Sequence, residues 1–116
     1  MLSHVVLLAP RRDLTPAQLE TFISAFERAA REIPSVRAVR VGRRVRHGQM
    51  YEAAMTTDFT VFALFEFDDL AGLQEYLNHP AHADLAAQFY GSLAAGLAYD
   101  YEMGTVASVR RWFAGR

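Results

Sequence analysis

Two imidazoles and a phenol fall close together in Tyr76-Leu77-Asn78-His79-Pro80-Ala81-His82. A neutral imidazole near pH 7 can take up a proton, return it, or orient a phenol. A tyrosine hydroxyl can donate a hydrogen bond to an oxygen that becomes anionic, such as that of an enolate. His82 and Tyr76 are therefore the candidate catalytic pair. His4, at the head of the first hydrophobic run, is a third polar ring that the fold can bring to the same pocket. His79 precedes Pro80, a position pushed away from helical geometry. One imidazole then enters a pocket while the other holds the corner or lies outside it. Structural roles compete with these chemical ones, because histidines beside a proline also cap helix ends and Tyr76 also suits the apolar side of a helix.

Other chemistries find less support. His79, His82 and Asp84 lie near one another, but there is no His-Glu-x-x-His, no cysteine ligand and no calcium loop, so no metal is expected. A lone histidine suffices as a haem ligand, yet nothing here specifies haem. Gly42 and Gly48 are isolated rather than part of a phosphate-binding loop. Ser92 lacks a local base pattern for nucleophilic catalysis. The reading is cofactor-independent.

The elements that must position these rings follow from periodicity. Val5 to Ala9, preceded by His4, is a short β run bounded by Pro10. Thr15, Pro16 and Gln18 open a helix with a capping box, and Leu19, Phe22, Ile23, Phe26, Ala30 and Ile33 give it one apolar face. Pro34 ends it. Val36 to Val45 reads as a second strand with arginines on alternate positions and a bulge or break at Gly42. Residues 47 to 58 read as a loop. Phe59 to Phe67 is the strongest strand and is apolar on both faces over its middle, so both sides need cover. Asp68-Asp69 caps a helix carrying Leu70, Leu73, Tyr76 and Leu77. Pro80 starts another, carrying Leu85, Phe89 and Leu93, with Gly91 and Gly96 where it weakens and ends. Leu97 to Val106 supplies a fourth strand, and Arg110 to Phe113 belongs to a short tail.

At 116 residues the chain makes one domain, placed at 1–106 with a C-terminal tail at 107–116. Hydrophobic residues are 52% and charged residues 22%, more apolar side chain than so small a domain readily hides. Twelve basic and thirteen acidic residues give a net charge of −1, which does not favour nucleic acid. Arg37, Arg40, Arg43, Arg44 and Arg46 cluster but lack interleaved stacking aromatics. No run reaches membrane-spanning length, and with no cysteine the expected location is the cytoplasm. The order β-α-β, β-α-β predicts an α+β, ferredoxin-like subunit, a four-stranded antiparallel sheet with helices on one face. Its uncovered apolar face calls for a homodimer, sheet against sheet.

On His4 followed by Val5-Val6-Leu7-Leu8, on Ile33-Pro34-Ser35-Val36, and above all on Tyr76-Leu77-Asn78-His79-Pro80-Ala81-His82, the chain resembles the stress-responsive dimeric α/β-barrel (Dabb) family over almost all of positions 3 to 103. The resemblance implies two ferredoxin-like subunits joined into a dimeric α/β barrel. One plant member of the family is a polyketide cyclase that closes its substrate by aldol chemistry without a metal. Its pocket tyrosine and histidine match Tyr76 and His82, and its strand-start histidine matches His4. The implied mechanism has His82 abstracting an acidic methylene proton and later returning it, while Tyr76 holds the developing oxyanion. Phe26 and Val61 stand where that pocket has a tyrosine and a histidine, so the resemblance implies a more apolar site. The expectation is a cofactor-independent cyclase or isomerase acting on a small ketonic or aromatic compound. The alternatives are a non-enzymatic, stress-responsive ligand-binding barrel and, by analogy of architecture alone, a small phenol or quinone monooxygenase.

Overall fold

Thr15 and Pro16 start the first helix as their types dictate. In the computed structural model, which describes residues 1–115, the Thr15 hydroxyl accepts from the Gln18 backbone N–H while the Gln18 side chain accepts from the Thr15 N–H. Pro16 has no N–H, so two of the three orphan amides of the helix end are thereby satisfied. The elements run β1 (Leu2–Pro10), α1 (Pro16–Glu32), β2 (Ala38–Arg43), α2 (Met50–Ala54), β3 (Val61–Phe67), α3 (Leu70–Leu77), α4 (Pro80–Ser92), β4 (Leu93–Glu102) and α5 (Ser108–Ala114).

The four strands form one antiparallel sheet in the order β2-β3-β1-β4. This is the ferredoxin-like arrangement the sequence predicts. The barrel is not. β2 and β4 lie at opposite margins and do not pair with one another, so the sheet is open. A twisted sheet of only four strands cannot bring its margins together.

Alternation along β1 and β3 separates two faces. His4, Val6, Leu8, Ala63, Phe65 and Phe67 turn inward and are buried. They pack with Ala29 and Ile33 of the first helical segment and with Leu73, Tyr76, Ala81 and Leu85 of α3 and α4. Val5, Leu7, Phe62 and Leu64 occupy the other face and remain half-buried, and Leu97, Tyr99 and Tyr101 of β4 are exposed beside them. α1, α3 and α4 all pack on the inward face, and α2 reaches the other only at its Leu7–Leu97 end, which accounts for the two-sided apolarity of the strand around Phe62.

Several local expectations need correction. Pairing runs through Gly42 opposite Phe62 without a bulge. Residues 47 to 58 contain the short helix α2, because the Glu52 carboxylate accepts from the His47 and Gly48 amides and folds the chain back on itself. Those hydrogen bonds hold the Glu52 carboxyl below its ordinary pKa. α4 passes straight into β4 at Leu93, four residues before the expected start, so Gly96 lies inside the strand rather than at a helix end. A Cβ at Gly96 would stand 2.5 Å from Phe89 Cζ and 3.0 Å from Leu93 Cδ1. The missing side chain is what lets the Phe89 ring lie on the sheet. Gly96→Ala overpacks that contact and is expected to cost about 1–3 kcal/mol, read as a lower urea midpoint at unchanged slope.

Candidate functional site

β1 and β4 pair so that His4 lies directly opposite Asp100. Both side chains point to the helical side, and His4 Nδ1 meets Asp100 Oδ1 at 2.6 Å. An ionised carboxylate only accepts, so Nδ1 carries the proton and donates. In neutral His4 the lone pair is then on Nε2. His4 is 7% exposed, whereas Asp100 sits near the sheet margin with its carboxylate partly in water.

α3 delivers Tyr76 to the same place. Asp69 caps this helix by accepting from the Gly72 amide, and its apolar side drives Tyr76 into the core to 1% exposure. The phenol ring lies among Phe65, Phe67, His4 and His82, with ring centroids 5.1, 5.2, 5.6 and 4.7 Å away. Its hydroxyl has no hydrogen-bond partner among the described residues. It is not sealed either, since the sealed and unpartnered side-chain hydroxyls among those residues are Ser3 and Ser35. Burial first, and the Asp100 carboxylate second, push the phenol well above its ordinary pKa of 10.0. Tyr76 is a neutral donor throughout the physiological range.

His82 enters from the first turn of α4. Burial lowers its pKa below the ordinary 6.5, charge on His4 acts in the same sense, and a hydrogen bond with the Leu77 backbone opposes them. The folded protein thus favours a neutral imidazole at position 82, the form able to accept a proton.

These groups form one end of a cavity of about 300 Å³ between the sheet and its helices. Its remaining wall is mainly apolar, contributed by Val6, Leu8, Phe22, Phe26, Phe65, Leu85 and Phe89 among others, with Tyr90 also lining it. A second chamber of about 320 Å³ adjoins it, lined by Leu14, Leu19, Ile23, Val41, Val61 and Leu93 among others, and the two share Leu8, Phe22, Phe26 and Ala63.

The structure brings His4, Tyr76, His82 and Phe26 to one cavity. Val61 faces the adjoining apolar chamber instead. His79 lines neither: its Nδ1 accepts from the Ala81 amide at 3.0 Å, capping α4. Asp100 escaped the sequence reading. The available signal was a lone acid between Tyr99 and Tyr101, which alternation turns to the face opposite the tyrosines. No group of three or more histidine, cysteine or acidic side chains suited to a metal ion converges among the described residues.

Fold and cavity together define a ferredoxin-like α+β protein with a pocket of small-molecule size beneath its helices. The chain belongs to the family described as the stress responsive A/B barrel domain, whose model matches residues 2–103. It is 26% identical over 104 residues to the stress-response A/B barrel domain-containing protein HS1 of Arabidopsis thaliana, covering 90% of this chain and 91% of that one. Two solved structures share the fold. A hydroxynitrile lyase from Passiflora edulis aligns with TM-score 0.74 at 14% identity, over 90% of this chain and 94% of the other. A dimeric ferredoxin-like protein of unknown function from Thermobifida fusca aligns with TM-score 0.66 at 22% identity, over 88% and 90%. No helix among the described residues is long and apolar enough to cross a membrane.

Two outcomes follow from this geometry. His79→Ala is expected to cost about 1 kcal/mol through loss of the cap, with His79→Asn restoring most of it, as measured by thermal unfolding. Because the folded state lowers the His82 pKa, the unfolded chain binds more protons once the pH falls toward and below 6.5. This contribution to stability is present above that pH and is lost on acidification. Melting curves at neutral and mildly acidic pH should therefore show a smaller acid loss for His82→Gln than for the native chain.

Proposed function

We propose that this protein binds a small, elongated, mainly apolar compound bearing one oxygen function. The observation that carries this reading is the polarity of the cavity. One end groups the Tyr76 hydroxyl with His82 and the His4–Asp100 pair, and the rest is mainly hydrocarbon wall continuing past Phe22 and Phe26. An unpartnered hydroxyl in a buried setting is costly until something bonds to it. A ketone, phenol or enol oxygen would do so, with its alkyl or aryl body in the two chambers. The reading suits a stress-responsive ligand-binding protein of the cytoplasm that needs no cofactor.

The working unit is proposed to be a homodimer. Val5, Leu7, Phe62, Leu64, Leu97 and Tyr99 make an apolar face on the side of the sheet away from α1, α3 and α4. A second copy facing it would remove that surface from water, each sheet remaining open. That the Thermobifida fusca relative is described as dimeric supports this.

A second reading is favoured by the His4–Asp100 contact beside Tyr76 and His82. In it His82 takes a proton from the carbon next to a ketone, the electron pair moves onto the carbonyl oxygen, and the Tyr76 hydroxyl donates to the resulting enolate. Return of the proton from His82, directly or after ring closure, completes an isomerase or cyclase cycle without a metal. His4, held by Asp100, would orient the oxygen or share the proton.

A series of 4-alkylphenols of increasing chain length tests the binding reading by calorimetry. Each added methylene should strengthen binding about fourfold, equivalent to about 0.8 kcal/mol, until the chambers fill. Affinity independent of chain length, or no binding at all, would sink it. Poly-β-keto, phenolic and quinone compounds assayed with the native chain and His82→Ala separate the two readings. Turnover abolished in the variant selects acid–base catalysis, whereas binding by both without conversion selects the ligand-binding role.

A further inference from the structure

The arginine cluster around β2 plays no part in the cavity. Arg37 pairs with Asp68, and Arg44 and Arg46 both pair with Asp58. Arg43 lies opposite Val61 and therefore on the helical side. Arg40 lies opposite Leu64, on the face away from α1, α3 and α4. At the paired strand positions of that face one other charged side chain stands, Glu66, opposite Ala38 and Ser3. Arg40 is exposed and Glu66 half-buried. Neither has a hydrogen-bond or ion-pair partner among the described residues.

A homodimer through this face takes both charges out of water. An ion buried without a partner costs several kcal/mol, so such an interface needs each charge opposite one of the other sign. The strand registers show where that is met. One row across the face runs Arg40, Leu64, Val5, Tyr99. Glu66 and Tyr101 belong to the row on one side of it, Phe62 and Leu7 to the row on the other. Neighbouring strands are about 4.8 Å apart, and residues of one strand that share a face are about 6.8 Å apart. On that grid Arg40 and Glu66 each lie roughly 7 Å from the point midway between Leu64 and Val5, the centre of the face. Two positions equidistant from a centre are exchanged by a two-fold axis that passes through it.

We propose that Arg40 of one copy pairs with Glu66 of the other, twice per dimer, and that these two contacts fix how the sheets cross. The inference rests on the homodimer reading above and adds its register. Because the axis passes through the centre of the face, the two sheets overlap as fully as they can. Their strands cross at roughly 70°, nearer the orthogonal than the aligned class of sheet packing. The same rotation lays Tyr99 of one copy over Leu7 of the other and Phe62 against Tyr101. Those tyrosines are 53% and 52% exposed in the single chain, so the contact covers rings that water otherwise meets. Every contact occurs twice, as an isologous interface requires. Side chains alone make it, and the sheet margins stay unpaired.

Sedimentation of charge-reversed chains tests the pairing. In a dimer of Arg40→Glu chains, or of Glu66→Arg chains, like charges face one another. Each variant alone should dimerise about tenfold or more weakly than the native chain. The equimolar mixture of the two restores opposite charges at both contacts and should dimerise about as tightly as the native chain. A pair formed within one chain is not restored by mixing. Arg40→Ala, Glu66→Ala and the double variant separate a direct pair from the general field of the face. The double variant should lose no more than the weaker of the single ones, because removing either partner already ends the contact. Circular dichroism verifies that each chain is folded. No recovery on mixing, additive losses in the alanine series, or single variants as tight as the native chain would overturn the cross-pair and leave the homodimer intact. A native chain that sediments as a 13.0 kDa particle at tens of micromolar overturns both.

Discussion

The antiparallel ladders that hold Leu2–Pro10 between β3 and β4 decide which way each β1 side chain points. With His4 opposite Phe65 on one side and Asp100 on the other, the inward set is His4, Val6 and Leu8, and these form the floor of the cavity. A slip of one residue would send that set to the uncovered face and bring Ser3, Val5 and Leu7 under the helices. The ladder does not tolerate such a slip easily, because Phe65, Phe67 and Tyr76 are packed against the inward residues of the present register. The same register makes the His4–Asp100 contact. A polar pair and an apolar floor are thus consequences of one alignment.

That alignment also explains how polar rings persist in the core. The His4 N–H is satisfied by a carboxylate that remains partly hydrated at the sheet margin, so the pair avoids the full cost of burying a charge. Tyr76 has no such arrangement. Its ring is held by aromatic neighbours worth several contacts, while its hydroxyl is left to the cavity. Packing fixes the ring and withholds a partner from the oxygen. A hydroxyl left in this way is free to donate to an acceptor that enters the cavity.

Much of this was legible in the chain because it is local. Thr15-Pro16 with Gln18, the apolar period of α1, the Asp69 cap and the hydrophobic strand around Phe65 all announce themselves within a few neighbours. Tyr76 and His82 were legible as candidates because the proline between them restricts what the segment can do. Asp100 was not, since its partner is 96 positions away and only the β1–β4 register makes them meet. His79 and His82 look equivalent as letters; a capping bond separates them by turning His79 toward the backbone. The β4 start was misplaced because Gly96 resembles a helix stop, whereas it serves close approach of the Phe89 ring. Two-sided apolarity around Phe62 correctly signalled an uncovered face, but a barrel does not follow from it, because the margins of this sheet remain apart.

Only Asn78 and His79 separate α3 from α4. Tyr76 leaves the first helix and His82 enters from the second, and the two rings come together because that link has one length. The link breaks the helical path, since His79 is extended at φ −77° and ψ 142°, so its length sets where the first turn of α4 begins and with it where His82 enters. Spacing, as much as side-chain identity, therefore defines this motif. A chain with both rings but a longer or shorter corner would keep the fold and lose the meeting of phenol and imidazole, which offers a simple ruler for sorting distant relatives.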